Sequence, residues 1–498
     1  MRAAQPGLGP QIGRGLAWSS INSLVLRLGS FAVGIVLARL LAPEQFGAFA
    51  IALTVQAILM TLADLGMSAD LIRSAEPARK APTVASLGIA SGALLAVTMA
   101  LSGQGVAELL GSPDTGPVIS VMAVSLLLAG AGVVPYAALQ RRFAQKELFG
   151  IAVSDFVVGT ALTIILILAG WGVMGLAVGR LVSQSVALVL QFILAGEKVR
   201  FGFDRSVAPE VLAFGLPVAG ANMLSWVLLN VDNVAISRLA GPVALGFYFL
   251  AFNVSNWPMS ALGQVVRSIS IPAFARLARG NTDKSFAAVL GPTWAVSLLA
   301  GLMLAVLAQP VIELVYGTVW LSAVPILAWL GLFGALRTLF DLAASYLLAR
   351  GASRPVLVVQ ILWIAALIPA VLFGIQAGGT PGVAIAHLAT AAVVVCPAYA
   401  VALRRSGADL RAVAARLWPP LAAAVPAGGA AMAALGWAPT PLTGLLAGGL
   451  TGTAVYSLLL GRWFRQQIRD LRGWMPADAG AAPSPAPAPE TTTAAGPL

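Results

Sequence analysis

Arginines that stand inside long apolar runs have the most informative chemistry in this sequence. A guanidinium group offers a planar fork of donors that matches the oxygens of phosphate or carboxylate. A charge at the centre of a bilayer costs at least about 2.5–3.5 kcal/mol, so one that persists there usually faces a partner, water or a ligand. Five arginines lie away from the cation clusters between the runs: Arg27, Arg39, Arg180, Arg238 and Arg337. These arginines therefore predict that the protein binds an anionic ligand between its apolar helices.

Arg27 is the strongest of these candidates. It lies eleven residues into the first apolar run, about 16 Å along a helix axis, which is too deep for easy snorkelling to the membrane surface. No acidic residue lies within one turn of it, so it either lines a cavity or pairs with Asp64 or Asp155 from another helix. Arg337 is second, because Asp341, four residues later on the same helical face, could instead neutralise it in an internal pair.

The other three arginines lie close enough to the outer membrane boundary for their side chains to snorkel, which favours a structural role for each. Arg39 gains some weight as a ligand residue because its surroundings recur later in the chain. Asp64 and Asp155 lie near the inner ends of their predicted helices, where solvated or capping roles are expected.

A polar cluster in the outer half of the predicted seventh span is the candidate ion site. Asp232 stands beside Asn233, and Asn230 lies three residues before Asn233. A carboxylate with amide oxygens can bind Na⁺ or accept a proton. Hydrogen bonding between helices is the alternative. His387, the only histidine, lies about two turns into the twelfth span, where a packing role is favoured over a proton relay.

The composition excludes a soluble protein. Of 498 residues, 59% are hydrophobic and 10% are charged, with a mean hydropathy of +0.90, whereas soluble domains are about one quarter charged. The net charge of +11 does not indicate nucleic-acid binding, because the cations cluster between apolar runs. The single cysteine, Cys396, excludes a disulfide framework and a thiolate metal site. We expect an all-α polytopic membrane protein, with the Met and Phe of its spans facing lipid or the core.

Glycines, prolines and charges divide the chain into fourteen runs long enough to cross a bilayer. The predicted spans are 16–41, 46–65, 83–103, 117–139, 150–170, 174–196, 210–236, 243–264, 288–309, 322–348, 356–376, 380–402, 417–436 and 440–461. Basic connections alternate with connections that carry no Lys or Arg clearly outside a helix, so the positive-inside rule places both termini in the cytoplasm. We see no signal peptide. Tryptophans near the span ends, Trp320 among them, are expected to be interfacial anchors.

A repeated signature divides the chain into two lobes. Residues 35–55 align with residues 234–254 without a gap, at a constant offset of 199 positions. The aligned identities are Arg39 with Arg238, Leu40 with Leu239, Pro43 with Pro242, Gly47 with Gly246, Ala52 with Ala251 and Val55 with Val254. Six spans separate the copies, so the lobes are predicted to be parallel. We expect an N-lobe at 1–205, a C-lobe at 206–405, two further spans at 406–472 and a disordered cytoplasmic tail at 473–498.

Two patterns resemble a known family. They are Asn22…Arg27…Ala38-Arg39-Leu40-Leu41-x-Pro43-x-x-Phe46-Gly47, followed by Asp64-Leu65-Gly66, and Asp232-Asn233-x-x-Ile236…Leu239-x-Gly241-x-x-x-Leu245-Gly246-x-Tyr248-x-x-Ala251. They resemble the polysaccharide transporter family of oligosaccharide flippases, in the multidrug/oligosaccharidyl-lipid/polysaccharide exporter superfamily. The likeness covers about residues 12–405, and Ser237-Arg238 departs from the Ile-Gly that the family commonly has.

The resemblance implies two lobes around a central cavity that moves an oligosaccharide on a lipid diphosphate, of the undecaprenyl type, to the outer leaflet by alternating access. Arg27, Arg337, Asn22 and Arg39 are then the predicted substrate-binding residues. The predicted ion-coupling residues are Asp232, Asn233 and Asn230. The location implied is the cytoplasmic membrane of a bacterium. The partners implied are membrane lipids and the polymerase and glycosyltransferases of the same pathway, around a monomeric protein.

Two other functions stay open. A drug or cation antiporter of the same superfamily would favour a cavity rich in carboxylates and aromatics. A membrane-embedded polysaccharide polymerase or glycosyltransferase would need a sizeable extramembrane site, but the predicted outer connections are only about 4–14 residues long by the span lengths used. The sequence has no Walker A motif, zinc-ligand spacing or Ser/His/Asp constellation. We therefore expect a protein that is not an enzyme, without a cofactor, driven by Na⁺, H⁺ or the membrane potential.

Overall fold

The computed structural model describes residues 28–196, 199–277 and 285–474, and within these ranges every regular element is a helix. Asn22, Arg27 and the predicted tail from residue 475 onward lie outside the described residues. The first lobe contains α1 (Leu28–Leu40), α2 (Pro43–Asp64), α3 (Met67–Arg73), α4 (Pro77–Leu109), α5 (Gly116–Met122), α6 (Val124–Arg141), α7 (Gln145–Leu168) and α8 (Gly172–Ala195). Then follow α9 (Val207–Leu277), α10 (Ser285–Val306), α11 (Ala308–Val315), α12 (Val324–Ala349), α13 (Ser353–Thr390), α14 (Cys396–Arg405), α15 (Leu410–Gly436) and α16 (Pro441–Trp474).

The chain is a multi-pass membrane protein. Within the described ranges, eleven helical stretches are long and apolar enough to cross a bilayer, and Leu28–Leu40 and Val207–Gly220 are shorter apolar helices. Helices α9 and α13 bend at Gly241 and Gly379, where φ is 84° and 61°. Each bend lies where the sequence predicts the end of one span and the start of the next. Once the arms of α9 and α13 are counted separately, the described helices follow the predicted spans, the first of them from residue 28 onward, and the predicted all-helical fold is confirmed.

The two copies of the repeated signature pack against each other, one at the start of α2 and the other just after the bend in α9. A Cβ atom added to Gly47 would overlap the Pro242 carbonyl and lie 2.7 Å from its carbon. A Cβ added to Gly246 would overlap the Pro43 carbonyl in the same way, 2.9 Å from its carbon. Such a reciprocal contact is what a twofold relation between two similar segments produces. The glycines of the signature therefore let the two backbones touch.

Further contacts between the lobes surround this glycine pair, at the end of the helices away from the clustered cations, which we call the outer end. The Trp320 indole donates a hydrogen bond of 2.8 Å to the Ala38 carbonyl and packs edge-on against Phe46, 5.4 Å between ring centroids. The Ser237 hydroxyl donates to the Leu110 carbonyl. Trp320 is only 1% exposed, so its predicted role as an interfacial anchor is wrong. It instead fills the contact between the lobes.

An ion-pair network joins the lobes at the opposite, basic end. The Asp70 carboxylate is 1% exposed and accepts hydrogen bonds from Lys80, at 2.9 Å, and Arg73, at 3.0 Å. Lys80 and Arg79 also lie 3.7 and 3.8 Å from the carboxylate of Glu210, at the start of α9. Lys80 and Arg79, which belong to the basic connections used to predict the topology, therefore also join the two lobes at this end.

Helices α15 and α16 pack on α10 of the second lobe. The Trp294 indole donates to the Leu417 carbonyl at 3.1 Å, and the Tyr456 hydroxyl donates to the Ala295 carbonyl at 2.9 Å. Helix α16 continues to Trp474, two residues into the segment predicted to be a tail.

Candidate functional site

A cavity of about 850 Å³ lies between the lobes, below the outer contacts. Helices α1, α2, α7 and α8 supply most of its wall, and the second arm of α9 and Tyr316, just after α11, supply the rest. Much of the wall is aromatic, with Phe31, Phe46, Phe49, Phe156, Phe249, Trp257 and Tyr316. Phe46, Phe49 and Phe249 also pack in or against the buried core, as expected for phenylalanines of the spans, and their other faces line the cavity with Phe31 and Phe156.

Arg180 and Asp155 bring opposite charges to this wall. Arg180 is exposed to the cavity, and its Nε donates a hydrogen bond of 3.1 Å to the Gln56 side-chain oxygen. The Gln56 amide in turn donates to the Ser125 hydroxyl. A buried oxygen of Asp155, Oδ1, has no hydrogen-bond partner in the described structure. Both residues were expected at membrane boundaries; the structure places both on the cavity.

Of the four predicted substrate-binding residues, Arg27 and Asn22 lie outside the described residues. Arg337 is half-buried in α12, and its Nη1 lies 3.4 Å from the side-chain oxygen of Asn256, which lines the cavity. Arg337 therefore contacts the cavity wall only through the side chain of Asn256.

Arg39 lies at the outer contact between the lobes. Its Nε donates a hydrogen bond of 2.8 Å to the Val315 carbonyl, and its Nη2 donates to the Leu314 carbonyl. These carbonyls end α11, where unpaired oxygens attract cations. In the described structure Arg39 is not part of the cavity wall. These contacts are those of a residue that ties the lobes together.

The predicted ion site is a buried cluster that also contains two residues from elsewhere in the chain. Asp232 is 3% exposed; its Oδ2 accepts a hydrogen bond of 2.6 Å from the Tyr248 hydroxyl and lies 3.4 Å from His387 Nε2. Asn233 donates to Asn230 at 3.3 Å, as the predicted cluster requires. The bend at Gly241 brings Tyr248 back to Asp232, and α13 supplies His387.

This cluster also touches the first lobe, because the Asn233 amide donates to the Thr54 hydroxyl of α2 at 3.2 Å. A carboxylate, a phenol and an imidazole in contact can hold a proton and pass it between them. Among the described residues, no group of three or more His, Cys, Asp or Glu side chains is placed to hold a metal ion. No sequence pattern joins His387 to Asp232, since 155 positions separate them.

Comparisons with known proteins agree with this architecture. A family model described as "Polysaccharide biosynthesis protein" matches residues 36–325, more than half of the chain. The lipopolysaccharide biosynthesis protein WzxC of Escherichia coli is 26% identical over 83% of this chain and 85% of its own. The succinoglycan biosynthesis transport protein ExoT of Rhizobium meliloti is 27% identical over 64% of this chain and 65% of its own. A solved structure of the lipid II flippase MurJ, in an inward closed conformation, has a TM-score of 0.74 at 15% identity and covers 90% of this chain and 99% of that one.

Proposed function

Because the chain belongs to the polysaccharide biosynthesis protein family, as its repeated signatures led us to expect, we propose that it is a flippase for a lipid-diphosphate-linked oligosaccharide. The observation that carries the proposal is a cavity between two lobes whose wall combines aromatic side chains with Arg180. The relatives named for polysaccharide biosynthesis and transport support a glycan as the transported group. The product is a cell-surface glycan unit delivered to the outer leaflet of the cytoplasmic membrane.

The cavity wall suits a ligand with an apolar and an anionic part. Aromatic side chains provide surface for the lipid carrier, and the guanidinium of Arg180 provides donors for the diphosphate. Arg337 and, outside the described residues, Arg27 are further cations for this anion. Transport needs no bond to be made or broken, so we assign no catalytic residue.

We assign the energy-coupling step to Asp232 and His387, with H⁺ as the coupling ion. Oδ2 of Asp232 accepts from the Tyr248 hydroxyl and lies 3.4 Å from His387 Nε2, and Oδ1 accepts from the Asn233 backbone N–H at 2.9 Å. Both carboxylate oxygens therefore have partners that would compete with Na⁺. The contact of Asn233 with Thr54 of the other lobe gives a route from protonation to the packing of the lobes. Protonation of Asp232 would remove the negative charge beside Asn233, whose backbone N–H donates to Asp232 Oδ1 at 2.9 Å.

A drug or cation antiporter of the same superfamily is the alternative, and the aromatic wall with Asp155 is the observation that favours it. Arg180 in the same wall repels a cationic drug. Overproduction of the protein should therefore leave cellular resistance to ethidium unchanged while raising glycan export; the opposite pair of results would favour the antiporter.

The test of the proposed function is export in cells that depend on this protein. Deletion should remove the surface glycan and accumulate its lipid-linked precursor in the inner leaflet. Arg180→Gln should lower export roughly 10- to 150-fold, the effect of losing a hydrogen bond to a charged group of about 1.5–3 kcal/mol. Arg180→Lys should keep part of the activity. Arg238→Gln, which removes an exposed arginine outside the cavity wall, is the matched control. Normal export by Arg180→Gln would remove this residue from the substrate site.

A further inference from the structure

A second cavity, of about 620 Å³, lies inside the first lobe at its basic end. Helices α2, α3, α6, α7 and α8 enclose it, and its wall comes from residues 60–191. Ala152 and Asp155 line both this pocket and the cavity between the lobes, so the two spaces share a wall. We call it the N-lobe pocket. Its volume is in the range of sites for small organic ligands and far above that of an ion.

Three acceptor oxygens in this pocket lack a hydrogen-bond partner in the described structure. They are Oδ1 of Asp155, Oε1 of Gln184 and Oε1 of Gln191, and all three atoms are buried. Asp64, the other acid of the wall, is already used, because its two oxygens accept from the backbone nitrogen and the hydroxyl of Ser68. Buried acceptors without donors are costly, so this wall is suited to a ligand that brings donors.

One helix arranges these groups in a stripe that begins in the cavity between the lobes. Arg180, Gln184 and Gln191 of α8 are spaced by four and seven residues, which places them on one face of the helix. The chain of hydrogen bonds from Arg180 through Gln56 ends on Ser125, which also lines the N-lobe pocket. A ligand lying along this face would meet a cation first and then neutral amides.

The charge of the N-lobe pocket excludes the anionic part of the substrate. None of the described residues in its wall is Lys or Arg, whereas Asp64 and Asp155 are both present. The other polar side chains of the wall are amides, hydroxyls and the phenol of Tyr136, which accepts a hydrogen bond of 2.9 Å from Gln140, and the rest of the wall is apolar. Amide oxygens and a phenol ring suit sugars, which carry hydroxyl donors at their edges and C–H groups on their faces.

We propose that the N-lobe pocket binds the glycan part of the transported molecule, with Asp155, Gln184 and Gln191 accepting hydrogen bonds from sugar hydroxyls. The diphosphate stays in the neighbouring cavity near Arg180. This proposal rests on the proposed function, and it adds that the protein reads the sugar as well as the anionic lipid.

A cysteine inside the pocket can report its occupant. Cys396→Ala removes the single native thiol, and Leu188→Cys then places one in the pocket wall. The rate of N-ethylmaleimide labelling is measured on the purified full-length protein. The probes are the free oligosaccharide released from its lipid by mild acid, undecaprenyl phosphate without sugar, and NaCl. The control reporter is Ser102→Cys, at an exposed site near the outer end of α4.

We expect the free oligosaccharide to slow labelling at Leu188→Cys and to leave Ser102→Cys unchanged. Gln184→Leu with Gln191→Leu should raise the oligosaccharide concentration needed for half-protection about tenfold or more, since two hydrogen bonds are lost. Gln184→Asn with Gln191→Asn keeps both amide groups on shorter side chains. This pair should raise the half-protection concentration in the same way, and it replaces the leucine pair if that protein fails to fold. Gln104→Leu makes the same chemical change near the outer end of α4 and should have no effect.

Several outcomes would overturn the proposal. Equal protection by undecaprenyl phosphate would make the pocket a lipid or phosphate site, and protection by NaCl alone would make it a cation site. No protection by the oligosaccharide, in a protein that still restores glycan export to deleted cells, would refute the glycan site and leave the proposed function standing. If the unsubstituted protein restored no export to the deletion cells, the proposed function itself would be refuted.

Discussion

Replacing Gly47 by alanine should hold the outer ends of the two lobes apart. The added Cβ would lie 2.7 Å from the Pro242 carbonyl carbon and 3.0 Å from the Gly246 nitrogen, and would overlap the Pro242 oxygen. All three atoms belong to backbone, so no side-chain rotation can relieve the overlap. The lobes must separate locally or the helices must shift.

The expected size of this effect follows from the cost of overpacking a close contact, about 1–3 kcal/mol. This cost applies to the conformation with the outer end closed and disappears when the lobes part there. It therefore shifts the equilibrium toward an open outer end by about 5- to 150-fold. Gly246→Ala, which meets Pro43, should act alike. The two changes together should cost less than their sum, because each already opens the same contact.

Thiol labelling in whole cells measures this shift. In a Cys396→Ala background, Ser237→Cys places a thiol in the outer contact, where Ser237 is 1% exposed. A membrane-impermeant maleimide should label it slowly in the parent protein and about 5- to 150-fold faster with Gly47→Ala. Glycan export should fall, because a transporter that favours one conformation completes fewer cycles.

Gly105→Ala is the matched control, since a Cβ there meets no atom within 4 Å. Equal membrane levels of the three proteins would show that folding is intact. If Gly47→Ala were labelled as slowly as Gly105→Ala and exported glycan as well, the glycine pair would not be a closing contact of the outer end.

Three further predictions concern charged groups. Asp232→Asn should make transport in reconstituted vesicles insensitive to a pH gradient, and His387→Ala should reduce the same dependence; unchanged responses to both pH and Na⁺ would return the cluster to a packing role. Asp70→Asn leaves the ammonium of Lys80 without its closest carboxylate, although the Glu210 carboxylate remains 3.7 Å away. It should lower the free energy of unfolding by about 1–3 kcal/mol, measured as a lower melting temperature of the purified protein. Adding Lys80→Met should recover part of this loss. Arg27→Ala should abolish surface glycan at normal membrane level, and normal export would remove Arg27 from the mechanism.

The fold could be predicted from the sequence because its rules are local. A run of about 20 apolar residues can satisfy its backbone in lipid only as a helix, and the glycines near residues 241 and 379 mark the bends. The repeat of Arg39 to Gly47 also indicated two related lobes, although the sequence could not tell that Gly47 meets the copy itself. That contact depends on how two distant segments pack.

The candidate ion site could be predicted only in part, for a similar reason. Asn230 and Asn233 are three residues apart on one helical face, and Asp232 is adjacent to Asn233 in the sequence. Tyr248 and His387 join them through the bend of α9 and the packing of α13, which no local pattern encodes. Its position in the twelfth predicted span alone predicts a packing role for His387.

Arg39 and Arg180 show why depth in the membrane is a weak guide to function. Both lie near the outer ends of predicted spans, yet one bonds to carbonyls of the other lobe and the other lines the cavity. A better signal was present in the sequence: Arg180 is followed on the same helical face by Gln184 and Gln191. These residues cover eleven positions, about 16 Å of helix, or roughly half the apolar thickness of a bilayer. A polar stripe of that length would be costly against lipid, so it must face the protein interior. A ligand that lies along it needs an anionic group followed by neutral polar groups, as a sugar diphosphate has.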